Sequence, residues 1–235
     1  MSVRSRPRRP RPRGVRFRES RAAYGHLDDL QREYAEKRDA IRARLEEFRE
    51  KWRESDESLF EEVAYCILAI QTKARASDAA VRGLKDRGLL IEGDAPAIAE
   101  FLRPRVRFHN HKAAYLVAAR ERLLGGDLSL REWLSTTPTR AVRERLVRDV
   151  DGLGYKEASH FLRNVGRGED LAILDRHVLR NLRYHGVIHE VPRSLSRRRY
   201  LTIEEKVRAF SAAVGIPMAA LDLVLWSRET GEVFK

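Results

Sequence analysis

The 235-residue chain contains a single cysteine, Cys66. One thiol cannot form an internal disulfide, and it rules out a cluster held by four cysteines. Cys66 lies in an apolar run, so a buried small hydrophobe is expected there. No run approaches the roughly 18 apolar residues of a membrane-spanning helix, so no membrane partner is expected. Sustained polar–apolar alternation is missing too, which argues against strands. No internal repeat is evident. His109 and His111 alternate, but no carboxylate or cysteine joins them, so no metal site is expected. Acidic residues are the scarcer charge, 35 against 47 Lys and Arg, for a net +12.

That excess is uneven. Residues 1–22 carry nine arginines and one glutamate, a net +8 that leaves +4 for everything after. Residues 1–18, with Pro7, Pro10 and Pro12, read as a disordered basic arm. Such an arm either adds counterion-release affinity for DNA or is a weakly constrained leader. No apolar stretch follows the arginines, so a secretory signal is not expected. Nucleic acid remains a candidate partner, resting on local patches as much as on total charge.

From residue 23 to 235 the pattern is helical. Leu27, Leu30, Tyr34, Ile41, Leu45, Phe48 and Trp52 recur at helical spacing, predicting one long helix that packs along the body or pairs with a second copy. Ser58 with Glu61 suggests a capping box for the next helix, which carries Val63, Ile67 and Ile70. Helices follow near 77–88, 94–102 and 113–124, the last stopped by Gly125 and Gly126. Thr137 or Thr139 is expected to cap the helix after that. Helices near 173–184, 203–214 and from Pro217 onward complete the expectation: an all-α protein of about ten helices in two lobes, with a cleft between them.

The most informative stretch is 150–158. Gly152 and Gly154 separate two amphipathic helical patterns, giving a tight reversal at about 139–166. Its bare main-chain amides sit at the start of a helix, where an anion is favoured. That describes a phosphate grip or a plain helix–turn–helix connection. Lys156 falls in the first turn of the second helix, where the dipole disfavours a cation. A neutral amine is a nucleophile able to form a Schiff base, although a solvated surface lysine fits the position as well. The chain then breaks at Gly166-Arg167-Gly168 and returns to Asp175. The helix carries the chain away by about 16 Å at 1.5 Å per residue, and the following residues can span back up to about 26 Å. Lys156 and Asp175 can therefore meet. Asp175 also opens a helix, so a capping role suits it equally.

The run Gly152-Leu153-Gly154-Tyr155-Lys156-Glu157-Ala158-Ser159-His160-Phe161-Leu162-Arg163-Asn164, with Leu171-Ala172-Ile173-Leu174-Asp175-Arg176-His177, resembles the helix-hairpin-helix DNA glycosylase superfamily. Within it, the resemblance is closest to the archaeal-type 8-oxoguanine DNA glycosylase/AP lyases. It covers about residues 55–235. It implies that Lys156 attacks C1′ of the damaged nucleotide and that Asp175 assists. It implies DNA contacts for the hairpin glycines Gly152 and Gly154 and for His177. It also implies a polar side chain filling the gap left by a flipped base, for which Gln71 is the candidate; a solvent-facing glutamine at a helix end is the alternative. Phe108 and Trp226 are candidates to stack on the base, with Phe108 as an ordinary core aromatic otherwise. The sequence closes on Phe234-Lys235. The resemblance suggests that Lys235 reaches the base pocket, where a terminal carboxylate would accept a hydrogen bond from N7–H of 8-oxoguanine.

The expectation is thus an enzyme that excises 8-oxoguanine from double-stranded DNA and nicks the abasic site by β-elimination. It needs no cofactor or metal and works as a monomer in a prokaryotic cytoplasm, associated with the nucleoid. Two alternatives are a glycosylase for another oxidised base and a non-enzymatic helix-hairpin-helix DNA-binding module. The module needs the glycines but not the lysine–aspartate pair.

Overall fold

The structure is a computed structural model that describes residues 24–135 and 138–235. The basic arm at 1–22 and the candidate cap Thr137 therefore lie outside the described residues. Among the described residues there are twelve helices and no strands. They are α1 (Leu27–Lys51), α2 (Asp56–Leu68), α3 (Ala74–Lys85), α4 (Leu89–Glu92), α5 (Ala95–Leu102) and α6 (His109–Leu124). Then come α7 (Leu130–Ser135), α8 (Thr139–Asp149), α9 (Tyr155–Asn164), α10 (Arg176–Tyr184), α11 (Arg197–Val214) and α12 (Met218–Thr230).

Two apolar cores organise them. One is built from α2–α9 and holds Phe60, Ile67, Leu84, Leu116, Leu146 and Phe161. The other gathers α1 and α10–α12 around Leu30, Ile41, Leu182, Phe210 and Val224. The chain thus leaves α1 for the first lobe and returns to α1 after α9. The segment joining the lobes runs through Leu171–Asp175, and it places the Asp175 carboxylate at the start of α10.

The ends of the helices follow local chemistry. Ser55, not Ser58, caps α2: its side chain accepts from the Ser58 amide at 3.2 Å. Ser58 lies inside the helix, so the expected capping box is one turn too late. Asp94 caps α5 and Ser196 caps α11 in the same way. The serine at 196 starts α11 well before Ile203, through a stretch whose three arginines hid the helical pattern. Pro138 occupies the N-cap position of α8, and Thr139 is its first helical residue.

Two glycines are required where helices meet. Gly152 has φ 84°, and a Cβ there would lie 2.8 Å from the Tyr115 ring of α6. Gly166 has φ 68°, and its Cβ would lie 2.7 Å from Cα of Arg49 on α1. The first lets the α8–α9 reversal sit against α6; the second lets the end of α9 pass against α1.

Candidate active site

A cleft of about 1060 Å³ opens between the two lobes. Helix α9 contributes Lys156, His160 and Arg163, spaced so that they share one face. Helix α12 contributes Asp222, Leu223 and Trp226 from the other lobe. Asp175 and His177 enter from the start of α10, Gln71 from the turn after α2, and Lys235 from the chain beyond α12. The residues expected to act, Lys156 and Asp175, therefore line one cavity.

Asp175 is fixed by its own backbone neighbourhood. Its Oδ1 accepts from the amides of His177 at 2.8 Å and Val178 at 2.7 Å. It is thus an N-cap, as its helix position suggested. The segment before it is pinned to α11. The Ala172 amide donates to Glu204 at 3.0 Å, Tyr200 Oη donates to the Ala172 carbonyl at 2.6 Å, and the Leu174 amide donates to Tyr200 Oη at 3.3 Å. Glu204 also takes both ends of the Arg143 guanidinium from α8, at 2.6 and 2.9 Å. One buried ion pair therefore ties the α8–α9 hairpin, which carries Lys156, to the segment that carries Asp175.

Lys156 is partly exposed, with its amine 3.7 Å from Glu157. One turn on, His160 is buried, edge-on to the Tyr65 ring at 5.6 Å. Neither of its ring nitrogens has a hydrogen-bond partner among the described residues. Burial and then the charges of Arg163, Lys156 and Lys235 hold its pKa well below the ordinary histidine value, so the imidazole is neutral. Asp222 is buried and 3.4 Å from Arg163. Burial chiefly, with a contribution from Asp175, pushes its pKa up to about 6 against the pull of Arg163 and Lys156. These cleft residues were not singled out from the sequence. His160 lies four residues after Lys156 and Asp222 four before Trp226, so helical spacing from the residues already chosen would have found both.

Lys235 is anchored rather than solvated. Its ammonium lies 2.9 Å from Glu62 and 3.1 Å from Asp78, and 4.7 Å from the centre of the Tyr65 ring. Burial works against that charge, but Glu62 and Asp78 outweigh it and hold the pKa above the ordinary lysine value. Tyr65 Oη donates to the Lys235 main-chain oxygen at 3.1 Å. Phe234 is buried beneath the Arg75 guanidinium at 4.0 Å.

The remaining expectations divide. Gln71 is exposed at the cleft with φ 51°. His177 faces Glu229, its Nδ1 at 3.3 Å. Gly152 and Gly154 lie at the α8–α9 reversal, outside the cleft lining, with Gly154 exposed at the start of α9. Phe108 stands apart from these. It sits at the N-cap of α6, half exposed, with Arg107 against its ring at 5.5 Å, and it does not line the cleft. The buried aromatic ring one helical turn from Lys156 is that of His160. Cys66 is free and buried, as expected of a small core residue.

The family model for 8-oxoguanine DNA glycosylase matches residues 41–216. This chain belongs to the 8-oxoguanine DNA glycosylase family. An 8-oxoguanine DNA glycosylase/AP lyase of Fusobacterium nucleatum is 42% identical over 213 residues, 89% of this chain and 98% of its own. One from Methanocaldococcus jannaschii is 38% identical, covering 86% of this chain and 94% of its own. The crystal structure of the Methanocaldococcus jannaschii 8-oxoguanine glycosylase/lyase in complex with a 15mer DNA containing 8-oxoguanine is similar, with TM-score 0.81 at 34% identity. It matches 89% of this chain and 99% of its own length. That of the Thermotoga maritima 8-oxoguanine DNA glycosylase gives 0.80 at 37% identity, covering 89% and 98%. The glycosylase family fold thus includes both lobes of this chain and the cleft between them.

Proposed function

We propose that this protein excises 8-oxoguanine from duplex DNA and then cleaves the strand at the abasic site. The presence of Lys156 and Asp175 in one interlobe cleft, in a chain of this family, supports this most directly. The base must leave the stack before C1′ can be reached. The Lys156 amine attacks C1′, and the bond from C1′ to the base breaks with its electron pair and a proton going to the base. Asp175, held by two amides, stabilises the positive charge that develops on the sugar. The sugar ring then opens to a Schiff base on Lys156. Loss of a C2′ proton expels the 3′ phosphate, which is β-elimination.

Recognition falls to the rest of the cleft. Guanine presents an acceptor at N7, whereas 8-oxoguanine carries a hydrogen there. A selective site needs an acceptor, and the main-chain oxygen of Lys235 is suited to that role. Trp226 and the neutral His160 supply aromatic faces. Lys73, Arg75, Arg107 and Arg176 line the cleft with positive charge for the backbone.

Borohydride trapping on duplex DNA carrying 8-oxoguanine tests the proposal. The wild-type protein should form a covalent adduct. Lys156→Gln should abolish it while retaining DNA affinity within a few-fold, because the amine is needed for the covalent step and not for backbone contacts. Binding without any adduct from the wild type would instead indicate a DNA-binding module.

A further inference from the structure

Lys112 is a buried cation without a carboxylate. It lies in the first turn of α6, 3% exposed, and no acidic side chain among the described residues pairs with it. Its ammonium instead makes three hydrogen bonds, to the carbonyls of Leu68 at 2.8 Å and Ile70 at 2.7 Å and to Thr72 Oγ1 at 2.9 Å. An ammonium has three protons, so each is used. Burial, then the charge of Arg107, lowers its pKa to about 8. Desolvating a cation to hold a surface turn is costly, so the fixed object is informative.

That object is the turn that carries Gln71. The three acceptors belong to residues on both sides of Gln71 and to Leu68, the last residue of α2. Gln71 has φ 51°, a left-handed conformation that is disfavoured for a non-glycine residue. Such a conformation persists where its surroundings over-determine it. Here the other restraints are long hydrogen bonds: the Ile70 amide to the Ile67 carbonyl at 3.4 Å, the Thr72 amide to the Ala69 carbonyl at 3.2 Å and Thr72 Oγ1 to the Ile70 carbonyl at 3.4 Å. Gln71 itself is exposed at the cleft, so nothing packs its side chain into place.

We infer that Lys112 is a positioning residue for base extrusion: it clamps the 68–72 turn so that Gln71 projects toward the base left unpaired when its partner enters the cleft. The inference rests on the proposed glycosylase activity. Lys112 touches neither lesion nor sugar, and acts only by presenting Gln71. A glutamine offers a donor and an acceptor, so it can satisfy different orphaned bases. The clamp fixes where it stands rather than which base it meets.

The test compares two duplexes under single-turnover conditions. One has 8-oxoguanine opposite cytosine; the other has it opposite an abasic-site analogue, where no orphaned base exists. Lys112→Met removes the three bonds and keeps most of the volume. It should slow excision opposite cytosine by about tenfold or more, as expected for misplacement of a positioning group. Opposite the abasic analogue the loss should be less than about threefold on the same reasoning. Gln71→Ala should give the same contrast. The double variant should be no slower than Gln71→Ala, since both changes remove one interaction. Thr72→Val deletes a single acceptor and should show a weaker contrast in the same direction, and it decides the matter should Lys112→Met not fold. Equal loss on both duplexes, or losses that multiply in the double variant, would overturn the role of Lys112. A wild-type protein inactive on both duplexes would overturn the glycosylase reading instead.

Discussion

In the proposed reaction Asp175 serves structure and chemistry with separate parts of one carboxylate. Both amide bonds of the cap go to Oδ1, which leaves Oδ2 for the sugar. Asp175→Asn keeps a capping oxygen and loses the charge. Base excision should fall by roughly 10²-fold or more, the scale of a lost electrostatic contribution, with little change in melting temperature. Unchanged single-turnover excision would reduce Asp175 to a helix cap. Asp222 is a different case, because its carboxyl is buried and its pKa is raised to about 6. The folded state therefore binds that proton more tightly than the unfolded chain does. The resulting stability is complete below about pH 4 and is lost as pH rises through about 6, amounting to about 3 kcal/mol for a shift of this size. Urea unfolding of the wild type and of Asp222→Asn, each at mildly acidic and neutral pH, reads this directly. The wild type should lose more stability than the variant on going to neutral pH, and equal changes would show that Asp222 titrates in the ordinary range.

Among the elements, the one that decides the geometry is the hairpin α8–α9 together with its tie to α11. Arg143 and Glu204 are each 1% exposed. Removing one partner of such a pair strands the other charge in the interior, which typically costs 3–5 kcal/mol. Glu204→Leu should therefore lower stability by about that much. Because Glu204 also receives the Ala172 amide, it should slow excision further in whatever protein remains folded. A variant with both changes, Arg143→Met and Glu204→Leu, should recover much of the stability, since no unpaired charge is left. Thermal unfolding of the three proteins checks the order. The sequence made the hairpin, the long α1 and most helices legible, because their apolar residues recur at 3.6-residue spacing. Short-range pattern placed Lys156 and Asp175 at helix starts, and the resemblance to the glycosylase superfamily, not that pattern, singled them out as the reacting pair. The sequence did not reveal α7, whose six residues are too few for periodicity, or the true start of α11. The ion pair was invisible for a different reason: residues 143 and 204 are joined only by tertiary packing, and each reads alone as a surface charge. Lys112 was hidden likewise, since its partners are main-chain carbonyls that carry no sequence signal.

The whole molecule is two lobes sharing a cleft, and the chain crosses between them more than once. It crosses through Leu171–Asp175, and again after α12, where the segment 231–235 leaves the second lobe and lies against the first. Lys235 is bound there to Glu62 of α2 and Asp78 of α3. Glu62 in turn accepts from Asn164 of α9 at 2.8 Å, so the lysine's anchor extends to the helix that carries Lys156. Arg75 on α3 holds the same segment by pairing with Glu232 and covering Phe234. These contacts hold Lys235 at the cleft wall without any contribution from Lys156 or Asp175. The two halves of the proposed reaction should therefore separate. Removing Lys235 should collapse excision of 8-oxoguanine, by an order of magnitude or more for loss of a buried polar contact that reads the base. Cleavage of a pre-formed abasic site, which presents no base to read, should continue at near the wild-type rate. Lys235→Met isolates the anchor from the main chain: it keeps the residue but leaves Glu62 without its cation and Asp78 with Arg82 alone. Its excision rate should fall between those of the wild type and the deletion. Parallel assays on the two substrates make the comparison, with unfolding curves to confirm intact protein. Equal loss on both substrates would mean that the segment holds the lobes together rather than reading the lesion, and full excision without Lys235 would remove it from recognition altogether.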